Sequence, residues 1–542
     1  MNKEKQDSLL IGTIISGSLS EGFVMRVNQD TDPELIKTGK FVCINGSHHK
    51  FFSLITDLKL ETAHPDILLF PPHPQEKLLH NSLKKDLYAT ALLRPMLVLT
   101  REGKPMPVKT IPAHFTPVYE AHERDIARIF GDEKDLSHNY FMIGSPLDMN
   151  AQVCLDLEKL TERSNGIFGK TGTGKTFLTR LILAGLIHHK KAVNLIFDMH
   201  SEYGLQARKE GEGHSFVKGL KTLFPDKVTI FSLDPISTRR RGGMPDVELT
   251  IPYQAITVDD ILSLNTELNL HSTAYEAAYL ISAKYKKNWL EVFLAQGDRL
   301  KEFSQEIGAH PESIAALYRK LKPIERFPFL VSSTPSSTSE ADCVDRMMEC
   351  IDNGTSIIIE FGNFTSSLCY LLVANIITRR IHNLYIKKTE KFLGSQNKQY
   401  EPQKLMITIE EAHKFLNPIA AHQTIFGTIA REMRKYYVSL LVVDQRPSGI
   451  DEEVLSQIGT KIVAQLNDEK DIQAVLNGTA HATQLRTVLS GLESKKQVLL
   501  IGHATAMPIV VQSREYNEQF YRTMAHSFIP IKSMDELAKE LF

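Results

Sequence analysis

Over the first hundred residues, apolar positions recur in short, strand-length runs. "IGTIISG", "GFVMRVN", "GKFVCING" and "FFSLITDLKLET" are rich in β-branched or aromatic residues and are separated by Gly, Asn and Asp, the punctuation of turns between strands. "YATALLRPMLVLT" and "KPMPVKTIPAHFTPVY" add further strands, and short strands at this spacing predict a small barrel. A connector at 119–160 carries one amphipathic helix, "EAHERDIARIFG". Then the pattern changes. "GIF" leads through "GKTGTGKT" into an apolar-periodic helix from Phe177 to His188, and "AVNLIFDMH" and "KVTIFSLDP" read as buried strands. Strands alternating with helices predict a parallel sheet covered on both faces.

Between about 256 and 350 the strand pattern gives way to helical spacing in "VDDILSLN", "STAYEAAYLISAKYKKNWLEVFLAQ" and "PESIAALYRKLKPIERF". "SSTPSSTSE" (332–340) reads as a polar linker. The sheet resumes with "GTSIIIEFGN", "KLMITIEEAHKF", "YYVSLLVVDQRPS", "TKIVAQLN" and "KQVLLIGHA". The expected organisation is a β-barrel over 1–118, an α/β core over 119–255 and 351–513, an all-helical insertion over 256–350, and a charged helical extension over 514–542.

Composition changes this picture little. Apolar residues make up 42% of the 542, charged residues 23%, and 63 basic against 64 acidic side chains give a net charge of −1. A neutral chain has no global positive field, so binding to nucleic acid would need a local basic stripe such as a channel lining. Five scattered cysteines (Cys43, Cys154, Cys343, Cys350 and Cys369) form no CxxC pair, which points to a reducing compartment rather than to zinc or disulfides. "LLIGTIISG" reads as a first strand, not a leader, and no run approaches the roughly 18 apolar residues of a membrane span. The expectation is a cytoplasmic chain without a membrane partner.

The chemistry begins at Gly169–Thr176, "GKTGTGKT", a complete G-x-x-x-x-G-K-[ST]. Its glycines let backbone N–H groups close around a β-phosphate, Lys175 would reach the β- and γ-phosphates, and Thr176 would ligate Mg²⁺. Nucleotide contacts are accordingly expected from Gly169, Lys170, Thr171, Gly172, Thr173, Gly174, Lys175, Thr176 and Phe177. The strand "LMITI" ends in Glu410 and Glu411; the first would hold the Mg²⁺ shell and the second polarise the attacking water. "SLLVVDQRPS" ends a further strand at Asp444-Gln445-Arg446. Gln445 would contact the γ-phosphate or orient water, or else cap a turn. Arg431 and Arg434 share a helix face upstream; one of them would neutralise transition-state charge at a neighbouring subunit's nucleotide, or both are a solvated basic face. Asp198 and Glu202 of "FDMHSEYG" could line the site's edge, whereas His200 reads as structural. The basic runs "STRRRGG" (237–243) and "KYKKNW" (284–289) are either DNA contacts or solvated surface.

Taken together, the barrel, "GKTGTGKT", "DMHSEYG", "EEAH" and "IAREMRKYYVSLLVVDQRPS" running into "LSQIGTKIVAQLND" resemble the HerA family of the HerA–FtsK group of P-loop ATPases. The resemblance spans about 8–515. It implies a RecA-like ATPase core behind a barrel, and a homo-hexameric ring motor with double-stranded DNA in its pore. It also implies a partner, either a nuclease like NurA in DNA-end processing or a sirtuin-like or other effector in phage defence. Carried over, Lys175 and Thr176 match the phosphate and Mg²⁺ residues, Glu410 and Glu411 the acidic pair, and Gln445 the strand-tip glutamine, with the arginine finger within 431–434. Met199 stands where the family has Pro, and the first acid is Glu rather than Asp. Acids outside the ATP site lack metal-ligand spacing, so cutting would fall to another protein. A second reading makes the ring an ATP-regulated scaffold that switches a partner effector. A third, a membrane-associated conjugation pump, fits poorly with the N-terminal barrel.

Overall fold

The computed structural model describes residues 9–69, 86–100, 104–135, 137–147, 149–208, 216–332, 342–432, 435–479, 482–492 and 496–526. Arg434, most of the expected linker and the end of the expected tail lie outside them. The chain divides into two compact units, 1–156 with 479–514 and 157–478 with 515–542.

The first unit opens with β1 (Leu10–Ser18), β2 (Gly22–Val27), β3 (Phe41–Asn45), β4 (Lys50–Thr62), β5 (Leu87–Leu99), β6 (Pro105–Met106) and β7 (Pro117–Glu120). Six of them close in the order β1-β2-β5-β4-β3-β7, with β7 returning to β1 and β6 flanking β5. Closure leaves these six strands without an unpaired edge. The alternating inward residues, among them Ile11, Phe23, Met25, Val42, Ile44, Ile55 and Leu93, form one apolar core. The long β4–β5 pair bends through register shifts at Phe52/Ser53 and Ile55/Asp57, the bulges a small barrel needs to curve. The proline-rich stretch around residues 105–117 yields only the short β6 and β7, because each proline removes a ladder N–H. Next comes the helix Glu123–Phe130, closed by a capping box between His122 and Asp125. Asp125 is 4% exposed and accepts from Lys50 Nζ at 2.6 Å, fixing the helix to β4. β8 (Tyr140–Pro146) and β9 (Val153–Asp156) then pair antiparallel.

The second unit is built on β10 (Asn165–Phe168), β11 (Val193–Asp198), the hairpin of β12 (Gln206–Arg208) and β13 (Phe216–Lys218), β14 (Val228–Ser232), β15 (Val247–Glu248), β16 (Ile251–Pro252), β17 (Leu330–Val331), β18 (Ser356–Glu360), β19 (Leu405–Glu410), β20 (Val438–Asp444) and β21 (Thr460–Val463). Its parallel sheet runs β15-β14-β18-β11-β19-β20-β10-β21. Every residue of β11, β18 and β20 is buried, which is why these strands read as unbroken apolar runs rather than alternating ones. The helix Lys175–His188 carries the chain from β10 towards β11 and is buried from Leu178 to Ile187.

Six helices between Val258 and Leu321 interrupt this sheet. They leave and re-enter at one point, where β16 and β17 pair Ile251 with Leu330. Arg379, on the 29-residue helix Ser367–Ser395, grips Asp260 of the insertion with two bonds of 2.8 and 2.7 Å. Trp289 of "KYKKNW" is 1% exposed and donates Nε1–H to Ile256 O at 2.9 Å. It is a core residue. The chain returns to the first unit as β22 (Gln497–Gly502) and β23 (Ile509–Ser513), in the antiparallel order β22-β23-β8-β9. Among the described residues no helix is long and apolar enough to cross a membrane.

Candidate nucleotide-binding and hydrolysis site

β10 ends at Phe168 and the loop Gly169–Gly174 turns into the helix beginning at Lys175. Gly172 and Gly174 take φ of +80° and +89° with open space around them, so the left-handed backbone itself calls for glycine there. At Gly169 the reason is crowding: a Cβ would lie 2.8 Å from Ala464 Cβ and from Thr173 Oγ1. Lys175 Nζ folds back over the loop, donating to Gly169 O at 2.7 Å and Lys170 O at 3.0 Å. Thr173 is buried and donates to Lys170 O at 2.8 Å. Unsatisfied N–H groups at a helix start make such a loop an anion cradle.

Parallel pairing brings the other strand ends level with it. Phe168 sits opposite Asp444, and Glu410 opposite Val443. Gly169 N–H donates to Asp444 O at 3.3 Å. Gln445, just past β20, joins the two halves: Thr171 Oγ1 donates to its Oε1 at 2.7 Å, and its Nε2 donates to Glu411 Oε1 at 2.7 Å. A continuous chain of hydrogen bonds therefore runs from the phosphate loop to Glu411. Glu411 holds φ of +49°, a strained conformation for a non-glycine residue and one that clusters at working sites.

Glu410 is held differently. Tyr203 donates its hydroxyl to Oε1 at 2.7 Å, the Glu410 N–H donates to Tyr370 Oη at 3.1 Å, and Oε2 is shut off from solvent with no partner among the described residues. Burial pushes the Glu410 carboxyl up to about 7. A buried carboxylate oxygen left bare is costly unless something fills it. A carboxylate oxygen is the kind of donor that suits a hard divalent cation such as Mg²⁺, and Thr176, in the first turn of the helix, carries a hydroxyl oxygen of the same hard character.

Asp198 and Glu202 part company. Glu202 is half-buried. Asp198, expected at the site's edge, is fully buried and accepts from the N–H groups of Glu202 and Tyr203, both at 2.8 Å. Burial, with Glu360 beside it, pushes Asp198 up to about 7. Arg241 of the "STRRRGG" run pairs with the buried Glu360 at 2.6 Å, while Arg239 and Arg240 are exposed. Asp444, 2% exposed, accepts from His413 N–H at 2.7 Å and His413 Nδ1 at 3.0 Å, an interaction that raises the imidazole's pKa above its usual value.

Arg431 is not brought to this chain's own phosphate loop. Its helix, Ile425–Glu432, precedes β20. The arginine lines a cavity of ≈ 210 Å³ with Arg163, Ser164 and Ser439, at the opposite ends of the strands from Gly169. Its Nη2 donates to Ala421 O at 2.9 Å, and Nη1 is buried without a partner among the described residues.

Residues 141–381 match "Helicase HerA, central domain". The "Probable DNA double-strand break repair helicase HerA" of Methanocaldococcus jannaschii is 30% identical over 393 residues, covering 68% of this chain and 75% of that protein. The chain belongs to the HerA family. The "DNA double-strand break repair helicase HerA" of Sulfurisphaera tokodaii is 23% identical over 88% of each chain. Among solved structures, VirB4 of Thermoanaerobacter pseudethanolicus aligns over 70% of this chain and 98% of its own, at 13% identity and a TM-score of 0.45. As a HerA-family protein with a P-loop core, the chain is a nucleotide-binding ATP hydrolase.

Sequence reasoning missed three parts of this HerA-family site: Tyr203, Arg180 and the His413–Asp444 pair. The tyrosine was visible in "DMHSEYG" and the histidine in "EEAH", yet neither residue's partner adjoins it in sequence. Arg180 sits in an apolar helix, where one charge among leucines was the available signal. It is 2% exposed, donates Nε–H to Glu202 O at 3.0 Å and lies over the rings of Phe177 and Tyr203.

Proposed function

We propose that this protein is a Mg²⁺-dependent motor subunit that uses ATP hydrolysis to move double-stranded DNA through a homo-hexameric ring, for the benefit of a partner nuclease or other effector. The observation that carries the reading is the Thr171–Gln445–Glu411 hydrogen-bond chain. A phosphate seated in the loop meets Thr171, and through Gln445 its presence bears on the group that handles water. Lys175 exchanges the loop carbonyls for phosphate oxygens. Glu411 takes a proton from the attacking water, and Gln445 holds that water or the terminal phosphate. Thr176 and Glu410 Oε2 would hold Mg²⁺, which when bound would neutralise negative charge on the phosphates.

The distance of Arg431 from its own phosphate loop supports a role towards a neighbour's nucleotide, and with it a ring. A ring also reconciles DNA binding with a net charge of −1, since a few basic residues from each of six subunits can converge on one channel. The DNA substrate and the repair setting are supported by the names of the relatives.

The test is ATP turnover with and without linear double-stranded DNA, with Glu411→Gln as the blank. Strong stimulation by DNA that vanishes in the variant is expected. A rate indifferent to DNA but responsive to an effector protein would overturn the motor in favour of an ATP-regulated scaffold. The ring is tested by mass measurement with and without nucleotide.

A further inference from the structure

Tyr203 and Glu410 are 207 residues apart in sequence and joined by a hydrogen bond of 2.7 Å. The loop carrying Tyr203 is clamped from both sides. The Asp198 carboxylate accepts its N–H and that of Glu202, both at 2.8 Å, and Arg180 donates to Glu202 O at 3.0 Å. Ser201 adopts φ of +57° within this turn. The tyrosine ring is fully buried and carries the Arg180 guanidinium 5.9 Å from its centroid. On the other side, Tyr370 holds the Glu410 backbone. Main chain and Oε1 are thus both fixed, and Oε2 is the carboxylate atom left bare.

We propose that Tyr203 is a positioning residue for metal binding. Its hydroxyl occupies Oε1, stops the carboxylate from rotating, and leaves Oε2 as the single oxygen offered to the divalent cation that accompanies ATP. The inference rests on the reading of Glu410 as the metal-side carboxylate. A neutral phenol suits this role, because it orients the acid without adding a positive charge that would compete with the cation. Partners that orient a metal ligand in this way are typically worth about 10–100-fold in metal affinity.

The experiment titrates Mn²⁺ into the full chain with a non-hydrolysable ATP analogue, followed by electron paramagnetic resonance. Wild type is compared with Tyr203→Phe, Asp198→Asn and Glu410→Gln. Tyr203→Phe keeps the buried ring and removes the hydroxyl. It is expected to weaken Mn²⁺ binding roughly tenfold and to raise the Mg²⁺ needed for half-maximal hydrolysis by a similar factor. Metal-free nucleotide affinity should not change, and turnover should recover at saturating Mg²⁺. Asp198→Asn loosens the same loop without touching Glu410 and should shift Mn²⁺ affinity the same way by less; it decides the matter if the phenylalanine variant does not fold. Wild-type Mn²⁺ affinity in Tyr203→Phe, or in Asp198→Asn if that variant must decide, beside weakened binding in Glu410→Gln would overturn the role of Tyr203 alone. Wild-type affinity in Glu410→Gln would overturn the reading of Glu410 and the proposal with it.

Discussion

Asp125, in the helix after the barrel, accepts hydrogen bonds from Lys50 Nζ at 2.6 Å, the His122 N–H at 3.2 Å and Cys43 Sγ at 3.5 Å. Glu410, at the end of β19, takes one bond on Oε1 and none on Oε2. Both acids were withdrawn from water at a cost, but Asp125 gained a cationic partner and several hydrogen bonds in return, whereas Glu410 gained one neutral hydrogen bond on its carboxylate. Asp260 is treated like Asp125: it is 3% exposed and doubly bonded by Arg379. A satisfied acid is a fastening; the bare Oε2 of Glu410 is the atom the proposed cation site would use. Leaving such a group unmet costs about 1–3 kcal/mol.

The sharpest way to break this comparison is to neutralise Glu410. Glu410→Gln should cut ATP turnover by roughly 10²–10³-fold, the loss typical of removing one preorganised electrostatic group, while the melting temperature holds or rises. A melting temperature that falls instead would make Glu410 a fastening after all. Arg379→Ala should do the reverse. It strands the Asp260 charge and should cost about 2–3 kcal/mol in urea unfolding, at or below the usual range for a broken buried pair because Arg379 keeps some contact with solvent. Asp125→Asn should cost less, about 1–2 kcal/mol, since Lys50 is 31% exposed and partly screened. Nucleotide affinity should not move.

The smallest effect concerns His413. Its bond to Asp444 raises its pKa in the folded chain, so the native state holds the proton more tightly than the unfolded one. That stabilisation is complete below the unfolded value and fades as pH climbs through the raised one. The melting-temperature gap between wild type and His413→Asn should therefore be wider near about pH 6 than near about pH 9. An equal gap at both would show that the pair is held without charge.

What could be read from the sequence follows the same division. Alternation in "GFVMRVN" and unbroken apolar runs such as "SLLVVD" declare strands because each residue's environment repeats with the backbone period. The phosphate loop and the Glu410–Glu411 pair were legible because their chemistry demands neighbours in sequence. Tyr203, Arg180 and Arg241 were not, since what each does depends on a partner from another strand or loop: Glu410, the carbonyl of Glu202 and Glu360. The burial of Trp289 was hidden for a related reason: it adjoins the lysines of "KYKKNW" in sequence, yet the helical face it occupies turns it into the core. Asp198 was expected at an edge because it ends a strand; its carboxylate turns inward to hold the loop that carries Tyr203.

The β16–β17 pair is only two residues on each side, yet it closes the neck of a helical excursion some eighty residues long. Because departure and return share one point, the excursion makes a single closed loop on the sheet. Loop closure depends only weakly on length, so the neck sets little limit on how many residues the excursion holds. The strands that carry the phosphate loop and its acids keep their register apart from it.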